Sequence, residues 1–128
     1  MSIKLDNIQI VVQQIDRSIS FYRALGLDIP DPDGGPYHEA RLEGGVRVSW
    51  NEESMKRDIY PEWKARLGQR VALAFLCESP SDVDSRYWAL VESGYAGEKE
   101  PWDAFWGHRY AQIADPDGNV VDIFAPLG

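Results

Sequence analysis

Apolar positions along the first half of the chain alternate, then step at helical spacing, then alternate again. Residues 3–12 predict a strand that places Ile8, Ile10 and Val12 on one face and Asn7, Gln9 and Val11 on the other. A helix is expected over 18–25, capped by Asp16 or Ser18, with Ile19, Phe21, Tyr22 and Leu25 as its apolar stripe and Gly26 as its left-handed stop. Residues 37–42 and 45–50 then predict two strands joined through Glu43, Gly44 and Gly45.

The second half repeats this order. Residues 70–77 predict a strand, with Val71, Leu73 and Phe75 on one face and Ala72, Ala74 and Leu76 on the other. A helix follows over about 81–92, capped by Ser79 or Ser81, stopped at Gly94, and burying Val83, Tyr87, Leu90 and Val91. Two strands, about 108–114 and 119–125, flank an Asp-Pro-Asp-Gly turn whose Pro and Gly suit the second and fourth positions of a type I turn. Residues 51–69 connect the halves, with a short helical arm expected over 61–67. Each half thus starts with a strand and a helix and finishes in strands. At 128 residues the chain is expected to form one domain of two similar halves, module 1 over about 3–50 and module 2 over about 70–126.

Composition narrows the class. Hydrophobic residues at 44% are enough for a packed core, and a net charge of −8 argues against non-specific binding to nucleic acid or an anionic membrane, both of which need a basic patch. No stretch approaches the roughly 20 apolar residues of a membrane span, and the start of the chain has no export segment, so a cytoplasmic protein is expected. Cys77 is the single cysteine, which rules out an intramolecular disulfide and a cysteine-based zinc site; it is expected to be a buried, inert thiol.

The densest chemistry lies in residues 101–110, Pro-Trp-Asp-Ala-Phe-Trp-Gly-His-Arg-Tyr, followed by 115–122, Asp-Pro-Asp-Gly-Asn-Val-Val-Asp. Tryptophans, a phenylalanine and an arginine stand beside two strands and a carboxylate, which is the material of an aromatic-walled pocket. Trp50, Trp63 and Trp88 are expected in the core or a dimer seam. Trp106, next to Gly107 in a loop, is expected in the pocket. Two histidines, His38 and His108, with no carboxylate at ligand spacing, are expected to be wall or surface residues, and no nucleophile is evident for either to activate.

Residues 16–26 (Asp-Arg-Ser-Ile-Ser-Phe-Tyr-Arg-Ala-Leu-Gly), Ala74-Phe75 and residues 115–122 resemble the signatures of the vicinal-oxygen-chelate superfamily, which includes glyoxalase I, bleomycin-resistance proteins and extradiol dioxygenases. The resemblance spans nearly the whole chain. It implies an α+β fold of paired βαβββ modules, with a curved mixed sheet around a cleft and helices on its outer face. Enzymes of the superfamily hold a divalent metal between the modules. The implied ligand positions fall here on Asn7, Ala72, Asp122 and, from strand 45–50, Arg47 or Ser49. Of these only Asp122 is an ordinary ligand, so no metal and no other cofactor is expected.

Within the superfamily the chain most resembles the drug-sequestering branch, especially the mitomycin-resistance type. The residues that carry this are 26–30, 45–50, 61–63, Gly94-Tyr95, Pro101-Trp102, 106–110 and 122–127. It implies a non-catalytic homodimer that stacks a planar organic ligand between aromatic side chains. Tyr37 and Trp106 would form the sandwich, with Trp102 and Phe105 closing the mouth. Arg109 would donate hydrogen bonds to a carbonyl or carboxylate if it points inward. Asn7, Gln9, Ser49 and Asp122 would line the floor, and His38 would be a polar wall residue. Two competing readings are a metal-dependent lyase or dioxygenase, and a module whose aromatic cleft binds a protein.

Overall fold

The computed structural model describes residues 2–65, 68–69 and 71–128. The chain folds as two compact units, Met1–Arg66 and Leu67–Gly128. Both are α+β, and together they hold two open mixed sheets and three helices among the described residues.

The first unit begins with β1 (Asn7–Val12), α1 (Ile15–Leu25), β2 (Tyr37–Arg41) and β3 (Arg47–Glu52), followed by α2 (Glu53–Ile59). Its sheet runs β1-β3-β2, with β1 parallel and β2 antiparallel to β3. The register sets Ile10 and His38 on either side of Trp50, and Ile8 and Ala40 on either side of Val48, so these side chains share one face. Helix α1 covers that face. It buries Ile15, Ile19, Phe21, Tyr22 and Leu25, and the Tyr22 ring lies 5.7 Å from that of Trp50, which is fully buried. Burying side chains of this size stabilises by about 1.5–3 kcal/mol each, the main force joining helix to sheet.

Helix α1 starts earlier than its sequence suggests. Its N-cap is Gln14, whose side chain makes no capping bond; Asp16 and Ser18 lie inside the helix rather than capping it. The Glu52 carboxylate, at the end of β3, instead accepts from the Ile15 amide at 3.2 Å. A residue 37 positions away does the work of a local cap. The far end behaves as expected: Gly26 takes φ 126°, and Leu27 donates to the Tyr22 carbonyl at 3.0 Å.

The second unit comprises β4 (Leu73–Leu76), α3 (Pro80–Glu92), β5 (Gly97–Asp103), β6 (His108–Ala114) and β7 (Val120–Pro126), a complete βαβββ order. Its sheet runs β4-β7-β6-β5. As in the first unit, the first strand is parallel to the last, which is antiparallel to the one before it. The second unit adds β5 outside β6. In the first unit no strand lies in the corresponding segment 27–36, where Pro30, Pro32 and Pro36 lack the amide donors of a ladder. That segment is held by side chains instead: Arg23 donates to the Ile29 carbonyl at 2.7 Å, and His38 Nε2 bonds the Pro30 carbonyl at 2.7 Å.

Helix α3 is capped by Ser79, whose hydroxyl accepts from the Asp82 amide at 3.1 Å. It buries Val83, Tyr87 and Leu90 on the face of the sheet that carries Val121, Ile123, Ala111 and Ile113. Cys77 is buried beside β4, and burial pushes its thiol above the usual range, in keeping with an inert cysteine. The Asp-Pro-Asp-Gly turn forms as expected. Gly118 donates to the Asp115 carbonyl at 3.0 Å, and the buried Asp115 carboxylate gathers the amides of Asp117 and Asn119 at 2.9 and 2.8 Å.

Several expectations need correction. Residues 3–6 and 71–72 lie outside the strands, and residue 70 lies outside the described residues. Residues 61–65 are not helical, while 66–67 are not described; the helix of the connecting segment is α2, which buries no residue and so carries no apolar stripe in the sequence. Strand β5 was not expected. Of the tryptophans expected in the core or a dimer seam, Trp50 is in the core, while Trp88 is exposed at 45% and Trp63 is half-buried within the chain.

Gly97 marks the closest approach of α3 to β5. A Cβ placed there would lie 2.1 Å from the Tyr87 hydroxyl and 2.8 Å from its Cζ. Gly97→Ala is therefore expected to destabilise the protein by about 1–3 kcal/mol, since the Tyr87 ring must shift out of a packed site. Urea unfolding compared with Tyr87→Phe/Gly97→Ala, which removes the hydroxyl and relieves part of the loss, checks this assignment.

Candidate functional site: an aromatic wall on the second sheet

The face of the second sheet opposite α3 is set by the pairing of β6 with β7. Gln112 stands opposite Asp122, Tyr110 opposite Phe124 and His108 opposite Pro126, while Trp102 of β5 stands opposite Tyr110. Alternation then brings Trp102, His108, Tyr110, Gln112, Asp122 and Phe124 to one surface. The four residues 104–107 between β5 and β6 add Phe105 and Trp106. This turn closes through Ala104 donating to the His108 carbonyl at 2.8 Å and Gly107 donating to the Ala104 carbonyl at 3.0 Å. Gly107 takes φ 94°, a conformation that other residues rarely adopt.

Trp106 is the hub of this surface. Its ring meets Phe105, Tyr110 and Trp102 nearly at right angles, at centroid distances of 4.8, 5.1 and 5.6 Å. Edge-to-face contacts of this kind are worth roughly 0.5–1.5 kcal/mol each beyond area burial, enough to fix the plane of the indole. Its Nε1 donates to His108 Nδ1 at 3.2 Å, and the His108 ring stacks on Phe124 at 4.9 Å. Even so, Trp106 stays 45% exposed. Lys99 holds its ammonium 5.1 Å from the centre of the Trp102 ring, a cation–π contact.

Asp122 lies at the base of the wall, almost fully buried. One carboxylate oxygen accepts from the Tyr110 hydroxyl, and the other accepts from the Gln112 amide at 2.9 Å. Burial, then the hydrogen bond to Asp122 and the charge of that carboxylate, push the Tyr110 phenol up to about 12. At the pH of a cell Tyr110 is thus a neutral donor and Asp122 is engaged through both oxygens.

The positions expected in the site fall in several places. Trp102, Phe105, Trp106 and Asp122 come together on the wall. Arg109 does not: it stands opposite Ala125, on the α3 side of the sheet, and donates to Asp84 of α3 at 2.8 and 3.1 Å and to Asp103 of β5 at 3.0 Å. These carboxylates raise its affinity for its proton above that of an ordinary guanidinium, and its hydrogen-bonding fork is directed away from the wall. Arg109 anchors the strand end that leads into the Phe105–Trp106 turn. His38 likewise lies on the helix side, stacked on Trp50 at 6.4 Å and bonded to Pro30, and is not a wall residue beside Tyr37.

Asn7, Gln9, Tyr37 and Ser49 share the face of the first sheet opposite α1. Gln9 accepts from Lys56 at 2.6 Å, and the fully buried Ser49 accepts from Asn51 at 3.0 Å. Arg47 is on this face too, its guanidinium divided between Asp6 and Glu39 at 2.6 Å each; Asp6 is held below the usual carboxylate range by that partner. His108, expected as a wall or surface residue, and Tyr110, within the aromatic stretch 101–110, lie on the wall; Gln112 and Phe124 were not anticipated from sequence. The signal was there: stepping by two from Asp122, and across the turn to β6, selects both.

The Glyoxalase/Bleomycin resistance protein/Dioxygenase superfamily matches residues 4–123, and the chain belongs to it. The Bacillus subtilis (strain 168) protein YraH, described as uncharacterized, is 29% identical over 127 residues, covering 97% of this chain and 99% of that one. Among solved structures, a glyoxalase/bleomycin resistance protein/dioxygenase family enzyme from Burkholderia phytofirmans PsJN superposes with a TM-score of 0.82 at 20% identity, over 98% of this chain and all of that one. A protein of unknown function from Agrobacterium tumefaciens str. C58 is 27% identical with a TM-score of 0.75, over 99% and 97% of the two chains. These likenesses agree on the fold.

The donor set does not fit the divalent metal held by the superfamily's enzymes. Both Asp122 oxygens take hydrogen bonds from Tyr110 and Gln112, Arg47 is a cation in two ion pairs, Ser49 is hydrogen-bonded to Asn51, and Ala72 has no donor atom. Asn7 has an unpartnered buried carbonyl oxygen, a single weak ligand where about three are needed. Among the described residues no three His, Cys, Asp or Glu side chains gather at metal-binding distance.

Two consequences can be measured. Tyr110 favours its neutral form in the folded protein, so the native state holds one more proton than the unfolded chain between pH about 10 and about 12. Its contribution to stability is complete below that window and is lost as pH rises through it. Ultraviolet titration of phenolate is expected to show the Asp122→Asn variant ionising one tyrosine earlier than the parent does. Separately, Arg109→Gln is expected to lower stability by about 1 kcal/mol, the pairs being partly exposed, and to shift the Trp106 indole N–H resonance. Loss of ligand affinity with unchanged stability and an unmoved resonance would instead make Arg109 a ligand donor.

Proposed function

We propose that the protein binds and sequesters a planar aromatic or quinone-like small molecule by stacking on the wall built around Trp106, without a metal and without chemical turnover. The observation that carries this reading is an exposed indole on the sheet face opposite α3, its plane held by three perpendicular rings. Such a surface is preorganised for a flat ligand, which loses no affinity to ordering the receptor. Residues 101–102, 106–110 and 122–127, which help to build it, are among those resembling the mitomycin-resistance type of drug-binding protein, and an antibiotic-sequestering role in the cytoplasm follows that resemblance. Assembly as an isologous homodimer with two such walls is part of the proposal.

A titration of chelator-treated protein with planar antibiotics and quinones, followed by calorimetry and tryptophan quenching, tests it. The best ligand is expected to saturate at one per chain without metal, and Trp106→Ala is expected to weaken it about tenfold to a hundredfold, through lost stacking and lost apolar area. Equal affinity in parent and variant would sink the stacking proposal. Binding that appears only after stoichiometric metal is restored would favour a metal-dependent lyase or dioxygenase. Sedimentation of the same samples reads the dimer directly.

A further inference from the structure

The hydrogen bond between Trp106 and His108 fixes more than the indole plane. An indole N–H can only donate, so His108 Nδ1, 3.2 Å away, must offer a lone pair. A neutral imidazole with Nδ1 unprotonated carries its hydrogen on Nε2. No partner for that nitrogen stands among the described residues, although His108 is only half-buried, and the ring is pinned flat against Phe124. The carboxylate on this face is already engaged, since Asp122 receives Tyr110 and Gln112. Among the wall's imidazole and indole donors, the Trp102 N–H is also unpartnered but sealed from solvent, which leaves the His108 Nε2–H as the one of these donors on a ring still partly open to a ligand.

We infer that His108 is the specificity-determining residue of the wall, and that its Nε2–H selects flat ligands bearing a neutral carbonyl oxygen at the ring edge over the same ring systems without one. This rests on the stacking reading above and adds the polarity of the ligand to it. A carbonyl supplies the missing acceptor. A ring edge that presents only C–H groups would leave the Nε2–H without its water and without a partner, at a cost in affinity. An anionic acceptor meets the Asp122 carboxylate as well as the Lys99 ammonium over Trp102, so charge gives it no advantage over a neutral carbonyl.

The test uses 9-fluorenone and fluorene, two flat neutral tricycles that differ by a carbonyl against a methylene. Titrations of the full chain are followed through the tryptophan indole resonances, and the two imidazoles through long-range proton–nitrogen correlations. Wild type is expected to bind fluorenone about threefold to tenfold more tightly than fluorene, the span of one neutral hydrogen bond. His108 Nδ1 should appear unprotonated and Nε2 protonated, with the Nε2 signal moving on addition of fluorenone and not of fluorene. His108→Phe keeps a flat ring against Phe124 and removes both nitrogens. It is expected to bring the two affinities together, whatever it does to their common level.

Equal affinities in wild type, a preference that survives in His108→Phe, or a protonated Nδ1 in wild type would each overturn the role of His108 while leaving stacking intact. If neither compound perturbs the Trp106 resonance, the stacking reading fails and this inference fails with it. The wild-type nitrogen spectrum stands even if the variant does not fold.

Discussion

Everything in the second unit depends on the register of β6 against β7. With Gln112 opposite Asp122 and Ile113 opposite Val121, the alternate residues of both strands divide into a set that meets α3 and a set that does not. A slip of β6 by one residue would turn Ala111 and Ile113 away from the helix and bury Tyr110 and Gln112 in their place. The core and the wall are therefore two readouts of one pairing. The buried Asp115 carboxylate helps to hold that pairing, since it ties the amides of the connecting turn where the register is set.

Much of this was legible in the chain. Period-2 and helical patterns located β1, β2, β3, β6, β7 and both capped helices, because each of these elements buries one side and shows it in sequence. Where the pattern failed, the element buries little. Strand β5 is an edge strand of glycine, charges and proline over most of its length, so it has no alternation to read. Helix α2 has no buried face. The early start of α1 escaped for another reason, as its first amide is satisfied by Glu52 from the distant β3, and no local rule anticipates a partner brought by tertiary structure.

The site was legible in part for the same reasons. Trp102, Phe105, Trp106 and Asp122 were expected together and are together. The face of Arg109, left open in sequence, and that of His38, expected on the wall or surface, follow from strict alternation: once Trp50 is a core residue His38, its antiparallel partner, shares the core side, and once Ala111 is buried against α3 so is the side of Arg109. The superfamily's frame is retained while the chemistry at its ligand positions has changed. A carboxylate that could have met a cation meets a phenol and an amide instead.

Strand β5 has a further consequence. Its pairing to β6 shifts register between Gly97 and Lys99 and again between Lys99 and Trp102, and Pro101 removes an amide from its ladder. A border so kinked, charged and short of donors cannot template another strand. The protein thus keeps the exposed rings of Phe105 and Trp106 next to a sheet margin that resists fibril-like stacking, which separates a sticky turn from any edge on which copies of the chain could add as strands.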